Sequence, residues 1–178
     1  LMNIGTHMLN NILEFGGRCR SISAVALTNG HLITPEDVRT SPGGMGTIAG
    51  ENITATLEFD NNVTGTLLQH RFSENQLEAY TLELYGTEGR IMFNASGRAS
   101  GGAWWLPSPH HLPDGQNDQW QRLDPILPDQ YDPASSAAPD DFSFADEYVR
   151  ALDEGRDHAC SGEDGRHIVE IMMAIFES

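Results

Sequence analysis

The strictest pattern in this sequence is a two-residue alternation of apolar and polar side chains in the middle of the chain. Between residues 53 and 59 apolar side chains alternate with threonine and glutamate, and the Asp-Asn-Asn turn at 60–62 leads into a second run over 63–72. The same alternation recurs over 80–93 around a Gly-Thr-Glu-Gly turn. Successive side chains of a strand point to opposite faces. The pattern therefore predicts two hairpins in an antiparallel sheet that is covered on one side and open to water or a partner on the other.

Helical patterns lie on both sides of these strands. Apolar residues recur at helical spacing over 6–15, a glycine pair marks the end of that helix, and a strand is predicted over 18–27. Near the other end of the chain one helix is predicted from about 141 to Gly155, and another over 161–178 opens with a capping-box spacing. Strands grouped between helices indicate an α+β fold.

Two segments lack this regularity. Residues 29–50 are loop-like, with a one-turn helix start at 34–37, and residues from about 95 to 140 form an insertion rich in Gly, Pro, Asp and Ser. Short strands within the insertion are predicted at 103–106 and 120–123. With 178 residues, of which 39% are hydrophobic, the chain can bury one sizeable core, so residues 1–178 are predicted to form a single domain.

The charge of the chain limits its partners. There are 26 acidic residues against ten arginines, no lysine occurs, and the formal net charge is −16. Such a surface repels phosphate polymers and anionic lipid, so neither nucleic acid nor membrane is expected as a partner. Schiff-base or lysine-dependent proton chemistry cannot come from this chain alone.

Other features point to a cytoplasmic protein without a bound metal. No run of about 18 apolar residues is present to span a bilayer, and two cysteines, Cys19 and Cys160, do not form a disulfide framework. The adjacent pair His110-His111 lacks further ligands at metal-binding spacing, so no metal site is predicted. Because the chain begins with Leu1 rather than methionine, we expect it to be a fragment of a longer protein.

The candidate site lies at the start of the first helix. Asn3 and His7 are four positions apart, so that both side chains point from one helical face toward the same volume. Near a helix N-terminus the neutral form of an imidazole is favoured, and a neutral histidine can serve as a general base. A histidine in an amphipathic helix can equally be a packed or hydrogen-bonded structural residue.

Several segments together resemble one protein family. Asn-Ile-Gly-Thr-His at 3–7 resembles the Asp/Asn-x-Gly-x-His segment of the glucose-fructose oxidoreductase, inositol dehydrogenase and rhizopine-catabolism (Gfo/Idh/MocA) family. Residues 53–66 are similar to its central hairpin and residues 85–91 to its Gly-Thr-Glu-Gly turn. Residues 144–156 and 161–178 are similar to its two closing helices. Each motif is weak alone, but their order and spacing are specific, and they cover most of the chain.

The resemblance implies that this chain is the second half of a two-domain NAD(P)-dependent oxidoreductase acting on a sugar, polyol or related hydroxyl compound. The family's first half is a Rossmann domain, and neither its glycine-rich fingerprint nor its Glu-Lys-Pro motif with the catalytic lysine occurs here. NAD or NADP would therefore be bound mainly by the absent domain, and this chain alone is expected to be inactive. The family's second domain is an open, largely antiparallel mixed sheet with helices on one face, whose other face commonly makes subunit contacts.

Residue by residue, the resemblance assigns His7 as the proton-transfer residue. Asn3, His70 and Arg71 are implied as substrate contacts. Asn3 stands where many members carry aspartate, and an amide can orient a hydroxyl but cannot exchange a proton. His70 and Arg71 end the long central strand, where structural pairing is an alternative role.

A second interpretation is a non-catalytic binding or assembly module whose open sheet face mediates association. The absence of a lysine and of a cofactor fingerprint favours it, as does Asn3 in place of aspartate.

Overall fold

The computed structural model describes residues 4–41, 47–70, 81–94, 102–108, 119–123 and 140–178, and two of the candidate site residues, Asn3 and Arg71, lie outside these ranges. Three α-helices and ten strands are present in the described part, and the fold is α+β, as predicted. The helices are α1 (Ile4–Gly16), α2 (Asp140–Glu154) and α3 (Gly162–Glu177). The strands are β1 (Cys19–Thr28), β2 (His31–Leu32), β3 (Arg39–Thr40), β4 (Thr47–Ile48), β5 (Asn52–Phe59), β6 (Thr64–His70), β7 (Thr81–Tyr85), β8 (Arg90–Asn94), β9 (Gly102–Leu106) and β10 (Gln121–Leu123).

The chain divides into two compact units, one formed by Leu1–Asn75 with Gly162–Ser178 and the other by Gln76–Ser161. In the first unit a four-stranded sheet has the order β2-β1-β5-β6, and every pairing in it is antiparallel. Helix α1 packs against β6, and helix α3 packs against β1. Both helices therefore cover the same sheet, and they also contact each other.

The register of this sheet separates two faces. On the covered face the cross-strand rows are Ile22–Leu57–Gly65, Ala24–Ala55–Leu67 and Ala26–Ile53–Gln69. On the other face the rows are Ser21–Glu58–Thr64, Ser23–Thr56–Thr66 and Val25–Thr54–Leu68. The alternation along β5 is complete, since its apolar residues are buried and its intervening threonines and glutamate are exposed. The predicted covered and open faces are therefore both present.

The apolar stripes of the two helices complete the core of the first unit. Leu9 of α1 is 0% exposed, and α3 buries Ile168, Ile171, Met172 and Ile175. Burying each such side chain stabilises the fold by roughly 1.5–3 kcal/mol. The apolar stripes of both helices thus pack against the sheet.

The second unit contains an antiparallel sheet in which each strand pairs with its neighbour in sequence, in the order β10-β9-β8-β7. The strands predicted at 103–106 and 120–123 form its β9–β10 hairpin. Helix α2 ends at Glu154, followed by Gly155 with a positive φ of 64°, a conformation that glycine adopts without steric cost.

The segment predicted as a loop at 29–50 contains more structure than its composition indicates. The 3-10 turn Pro35–Asp37 lies where the sequence predicts a helix start, and Thr34 opens it with a capping box. Strand β2 also extends the sheet beside β1, and β3 pairs with β4. Two-residue strands depend on the partner strand rather than on local pattern, so the sequence alone does not reveal them.

Candidate functional site

The proton-transfer candidate His7 is the fourth residue of α1, at the end of its first turn, and its side chain is exposed. Residues of the same helix on its inner side, Gly5 and Leu9, are buried, so the helix presents His7 outward from the core. The side chain of His7 forms no hydrogen bond or ion pair with the residues that the structure describes. The exposed imidazole therefore takes no part in the hydrogen bonds and ion pairs of the described residues.

The C-terminal end of α1 packs against the β5–β6 hairpin close to its turn. The ring of Phe59, 1% exposed, lies between two glycines. A Cβ at Gly16 would lie 2.9 Å from ring atoms of Phe59, and a Cβ at Gly65 would lie 3.2 Å from the ring and 3.9 Å from Cγ2 of Ile12. The absence of both side chains lets the last turn of the helix approach the sheet closely. The N-terminal turns, with His7, extend from this contact.

The alternation along β6 determines which side chains share a side of the sheet with α1. The Cβ direction of Gly65 points to Ile12, so the face of β6 that carries Gly65, Leu67 and Gln69 faces the helix. His70 belongs to the alternate set with Thr66 and exposed Leu68, on the open face.

The structure therefore does not bring His7 and His70 to one side of the sheet. No bulge interrupts the β5–β6 register that would reverse this placement. The roles of His70, Arg71 and Asn3 as substrate contacts stay predictions, and of the three only His70 is within the described residues. The residue of β6 that does face α1 at this end is Gln69, which the sequence analysis did not single out.

A buried histidine that the sequence analysis also missed joins α3 to β1. The backbone N–H of Cys19 donates to Nε2 of His167 over 3.1 Å, and Nδ1 of His167 lies 3.3 Å from Oε2 of Glu170. Since Nε2 accepts, the neutral ring carries its proton on Nδ1, where the carboxylate can accept it. His167 is four residues before Ile171 on the buried stripe, a spacing that would have indicated its burial. Its partners identify it as a structural residue.

The Cys19 thiol next to this contact is not an activated nucleophile. Burial raises the pKa of the Cys19 thiol, and two nearby carboxylates, Asp60 and Glu58, raise it further, against the lowering effect of backbone hydrogen bonds. The thiol donates weakly to the carbonyl oxygen of Ser21 at 3.5 Å. A thiol with a raised pKa carries little thiolate near neutral pH, so nucleophilic cysteine chemistry is not supported here.

In the second unit the turn after α2 is held by a bidentate ion pair. Nη1 and Nη2 of Arg156 donate to the two carboxylate oxygens of Glu147 over 2.7 and 2.9 Å, and Ala159 N–H donates to the same carboxylate over 3.1 Å. These bonds, that of Arg156 foremost, lower the pKa of Glu147 from 4.5 to about 2. The cluster stabilises the turn and has no group free for proton transfer.

Neither a metal site nor a membrane-spanning helix is found in the described part of the chain. Within residues 4–41, 47–70, 81–94, 102–108, 119–123 and 140–178, no three His, Cys, Asp or Glu side chains come together in a metal-binding arrangement. Among the same residues, no helix is both long enough and apolar enough to cross a bilayer. The pair His110-His111 lies outside these ranges.

Comparison with known proteins reveals similarity at the level of structure. No family model and no curated protein matches the sequence. Among solved structures, levoglucosan dehydrogenase in complex with NADH and levoglucosan matches 99% of this chain with a TM-score of 0.70 and 20% sequence identity. Aldose-aldose oxidoreductase from Caulobacter crescentus, complexed with glycerol, matches 97% of it with a TM-score of 0.62 and 16% identity. UDP-N-acetylglucosamine 3-dehydrogenase from Acidithiobacillus ferrooxidans matches 97% with a TM-score of 0.62 and 12% identity.

In each case this chain spans less than half of the matched protein: 46% of the levoglucosan dehydrogenase, 43% of the aldose-aldose oxidoreductase and 47% of the UDP-N-acetylglucosamine 3-dehydrogenase. Identities this low carry the fold and not the activity. The chain thus has the fold that Gfo/Idh/MocA-type sugar oxidoreductases share over somewhat less than half of their length, as the resemblance of its motifs implies.

Proposed function

We propose that this chain is the substrate-binding half of an NAD(P)-dependent oxidoreductase that acts on a hydroxyl group of a sugar or polyol. The observation that carries the proposal is the placement of His7, exposed and without a partner among the described residues, near the start of a helix in a fold shared with sugar oxidoreductases. A structural histidine would be engaged, as His167 is in the same unit. Within the described residues, the His7 side chain makes no contact comparable to that of His167.

In the proposed reaction the substrate hydroxyl lies against the imidazole of His7. As the carbon gives up its hydrogen with the electron pair, the hydroxyl loses its proton to the neutral imidazole, and a carbonyl group forms. Asn3 would orient the same hydroxyl by donating from or accepting at its amide. A positioned base of this kind contributes about 10²- to 10⁴-fold to the rate.

The nicotinamide, when bound, supplies the acceptor for the hydride. The described sheets contain antiparallel pairings only, so the part of the chain that the structure describes has no parallel βαβ unit of the type that binds dinucleotides. The cofactor and the catalytic lysine would therefore come from another domain. The coding sequence upstream of Leu1 tests this: a glycine-rich Rossmann fingerprint and a Glu-Lys-Pro segment are expected there, and an immediate start codon would contradict the two-domain proposal.

The role of His7 is tested by His7→Ala in the full-length protein, with His31→Ala as the matched control. His31 is an exposed histidine of the same unit, paired with Asp37 at 3.3 Å and outside the proposed site. We expect His7→Ala to lower kcat for sugar oxidation by about 100-fold or more without loss of folded protein, because the side chain is exposed. A kcat equal to that of His31→Ala would refute the assignment.

A second function, association through the open sheet face, is favoured by the apolar row at one end of that face. Val25 is 49% exposed and Leu68 is 62% exposed, and Thr54 lies between them in register. A row of this kind on an otherwise threonine-rich face suits contact with a second copy of the protein. The same surface would serve a non-catalytic assembly module, so the upstream coding sequence and the His7 experiment are what separate the two functions.

A further inference from the structure

The outer side of helix α1 is polar along its length. The buried residues of this helix are Gly5, Leu9, Ile12 and Gly16, and at about 3.6 residues per turn they share one side of it. The residues on the opposite side are His7, Asn10, Asn11 and Glu14, all of them at least partly exposed. If His7 is the base, the substrate lies against this outer side, and further contacts to it are expected from the same residues.

On this outer side Asn11 is the neighbour of His7 in the next turn. Residues four positions apart on a helix have Cβ atoms about 5–6 Å from each other. Helical side chains also lean toward the N-terminus, which brings the carboxamide of Asn11 toward the turn that carries His7. The imidazole and the carboxamide therefore border one volume outside the helix, on the side away from the sheet.

Asn11 adds nothing to the hydrogen bonding of the fold within the described residues. Its side chain, like that of His7, forms no hydrogen bond or ion pair with them, whereas the adjacent Asn10 is not without a partner. Asparagine is also a poor residue for the interior of a helix, because its side chain competes with the backbone for hydrogen bonds. A residue that weakens its own helix without a compensating contact is expected where a ligand binds.

We propose that Asn11 is a substrate-binding residue whose carboxamide bonds the hydroxyl group on the carbon next to the one that is oxidised. The proposal rests on the function proposed above, in which His7 takes the proton of the reacting hydroxyl. A hydroxyl both donates and accepts, so it can pair with either Oδ1 or Nδ2 of the carboxamide. Asn11 thereby selects compounds that carry two neighbouring hydroxyl groups over simple alcohols.

The test compares Asn11→Leu with Glu14→Leu in the full-length protein, with D-glucose, levoglucosan and myo-inositol as substrates. Leucine removes the polar atoms and favours the helix, so the unfolding midpoint is expected to stay the same or rise. Glu14 is on the same side of α1 but about 10 Å from His7 along the axis, so Glu14→Leu controls for an added apolar side chain. We expect Asn11→Leu to raise KM about three- to tenfold, the effect of one hydrogen bond, with a smaller change in kcat. Glu14→Leu is expected to keep the wild-type KM.

Monodeoxy analogues of the best of these substrates distinguish a direct contact from a structural effect. The analogue that lacks the hydroxyl next to the oxidised carbon is expected to have the same KM in the wild type and in Asn11→Leu, while the other analogues keep the three- to tenfold difference. Equal KM values for Asn11→Leu and Glu14→Leu would overturn the proposal. A loss of the same size for every analogue would overturn it as well.

The contact at Asn11 and the base at His7 fail separately. Loss of turnover in His7→Ala together with a wild-type KM in Asn11→Leu refutes the contact alone. Unchanged turnover in His7→Ala refutes the base, and a raised KM in Asn11→Leu would then still support a substrate on the outer side of α1. Absence of turnover of all three compounds by the wild type would count against both.

Discussion

Replacing His167 with Phe isolates the contact that joins helix α3 to the sheet. The substitution keeps a planar ring and removes the Nε2 acceptor, so the backbone N–H of Cys19 is left buried without a partner; Cys19 is 8% exposed and His167 9%. A buried donor without an acceptor costs about 1–3 kcal/mol. Glu170 keeps its ion pair with Arg166 at 2.8 Å, so no second charge is stranded. We therefore expect the free energy of unfolding to fall by about 2 kcal/mol.

Two measurements check this prediction. Urea denaturation gives the loss of stability, and hydrogen exchange at the Cys19 amide reports the bond itself, with exchange accelerated about tenfold for every 1.4 kcal/mol lost. His31→Phe is the control, because its exposed pair with Asp37 contributes little. His167→Gln, whose amide oxygen can accept, is expected to recover part of the loss. If His167→Phe matches His31→Phe in stability and the Cys19 amide exchanges at the wild-type rate, the reasoning is refuted.

Three other predictions concern packing, pH and association. Gly89→Ala places a Cβ 2.5 Å from the carbonyl oxygen of Leu106, so thermal unfolding should show a loss of about 1–3 kcal/mol, and an unchanged midpoint would contradict the close approach. The pKa of Glu147, about 2 in place of 4.5, means that its ion pair with Arg156 stabilises the fold above about pH 4.5 and is lost as the pH falls toward about 2. Circular dichroism should therefore show a smaller loss of stability over that interval for Glu147→Gln than for the wild type; equal losses would count against the pair. Leu68→Asp, on the open face, should reduce the sedimentation coefficient of the full-length protein if that face joins two copies, whereas an unchanged coefficient argues for another interface.

Most of the fold could be predicted because its signals are local. The alternation over 53–59 matches the burial of β5 residue by residue, and the apolar stripe of α3 is buried as its spacing predicts. The same kind of spacing does not guarantee burial. In α2, Tyr148, Val149 and Leu152 recur at helical spacing, yet all three are exposed. The spacing of apolar residues indicates which side chains share a face of a helix. Whether that face is buried depends on another element packing against it.

The candidate site could be predicted less completely than the fold. His7 was identified from a short motif, and the structure places it with an exposed imidazole, but its catalytic role stays a proposal. His70 and Arg71 were predicted as substrate contacts at the end of a strand. A position at a strand end does not determine which side of the sheet a side chain occupies. One step in sequence reverses the side, so the register of β5 with β6 was needed to distinguish Gln69 from His70.

Phe59 packs between Gly16 and Gly65 and thereby fixes the C-terminal end of helix α1, so that a small tilt at this end displaces the N-terminal end much further. His7 is nine residues before Gly16, about 14 Å along the helix axis at about 1.5 Å per residue. A side chain at either glycine would tilt the helix about its C-terminal end. A tilt of about 10° would displace the backbone at His7 by about 2.4 Å over that length. The proton transfer proposed for His7 would tolerate far less, since a misplacement of about 1 Å can cost about 100-fold in rate. Under the proposed function, small substitutions at these glycines are therefore expected to lower turnover as well as stability, at a distance from any reacting atom.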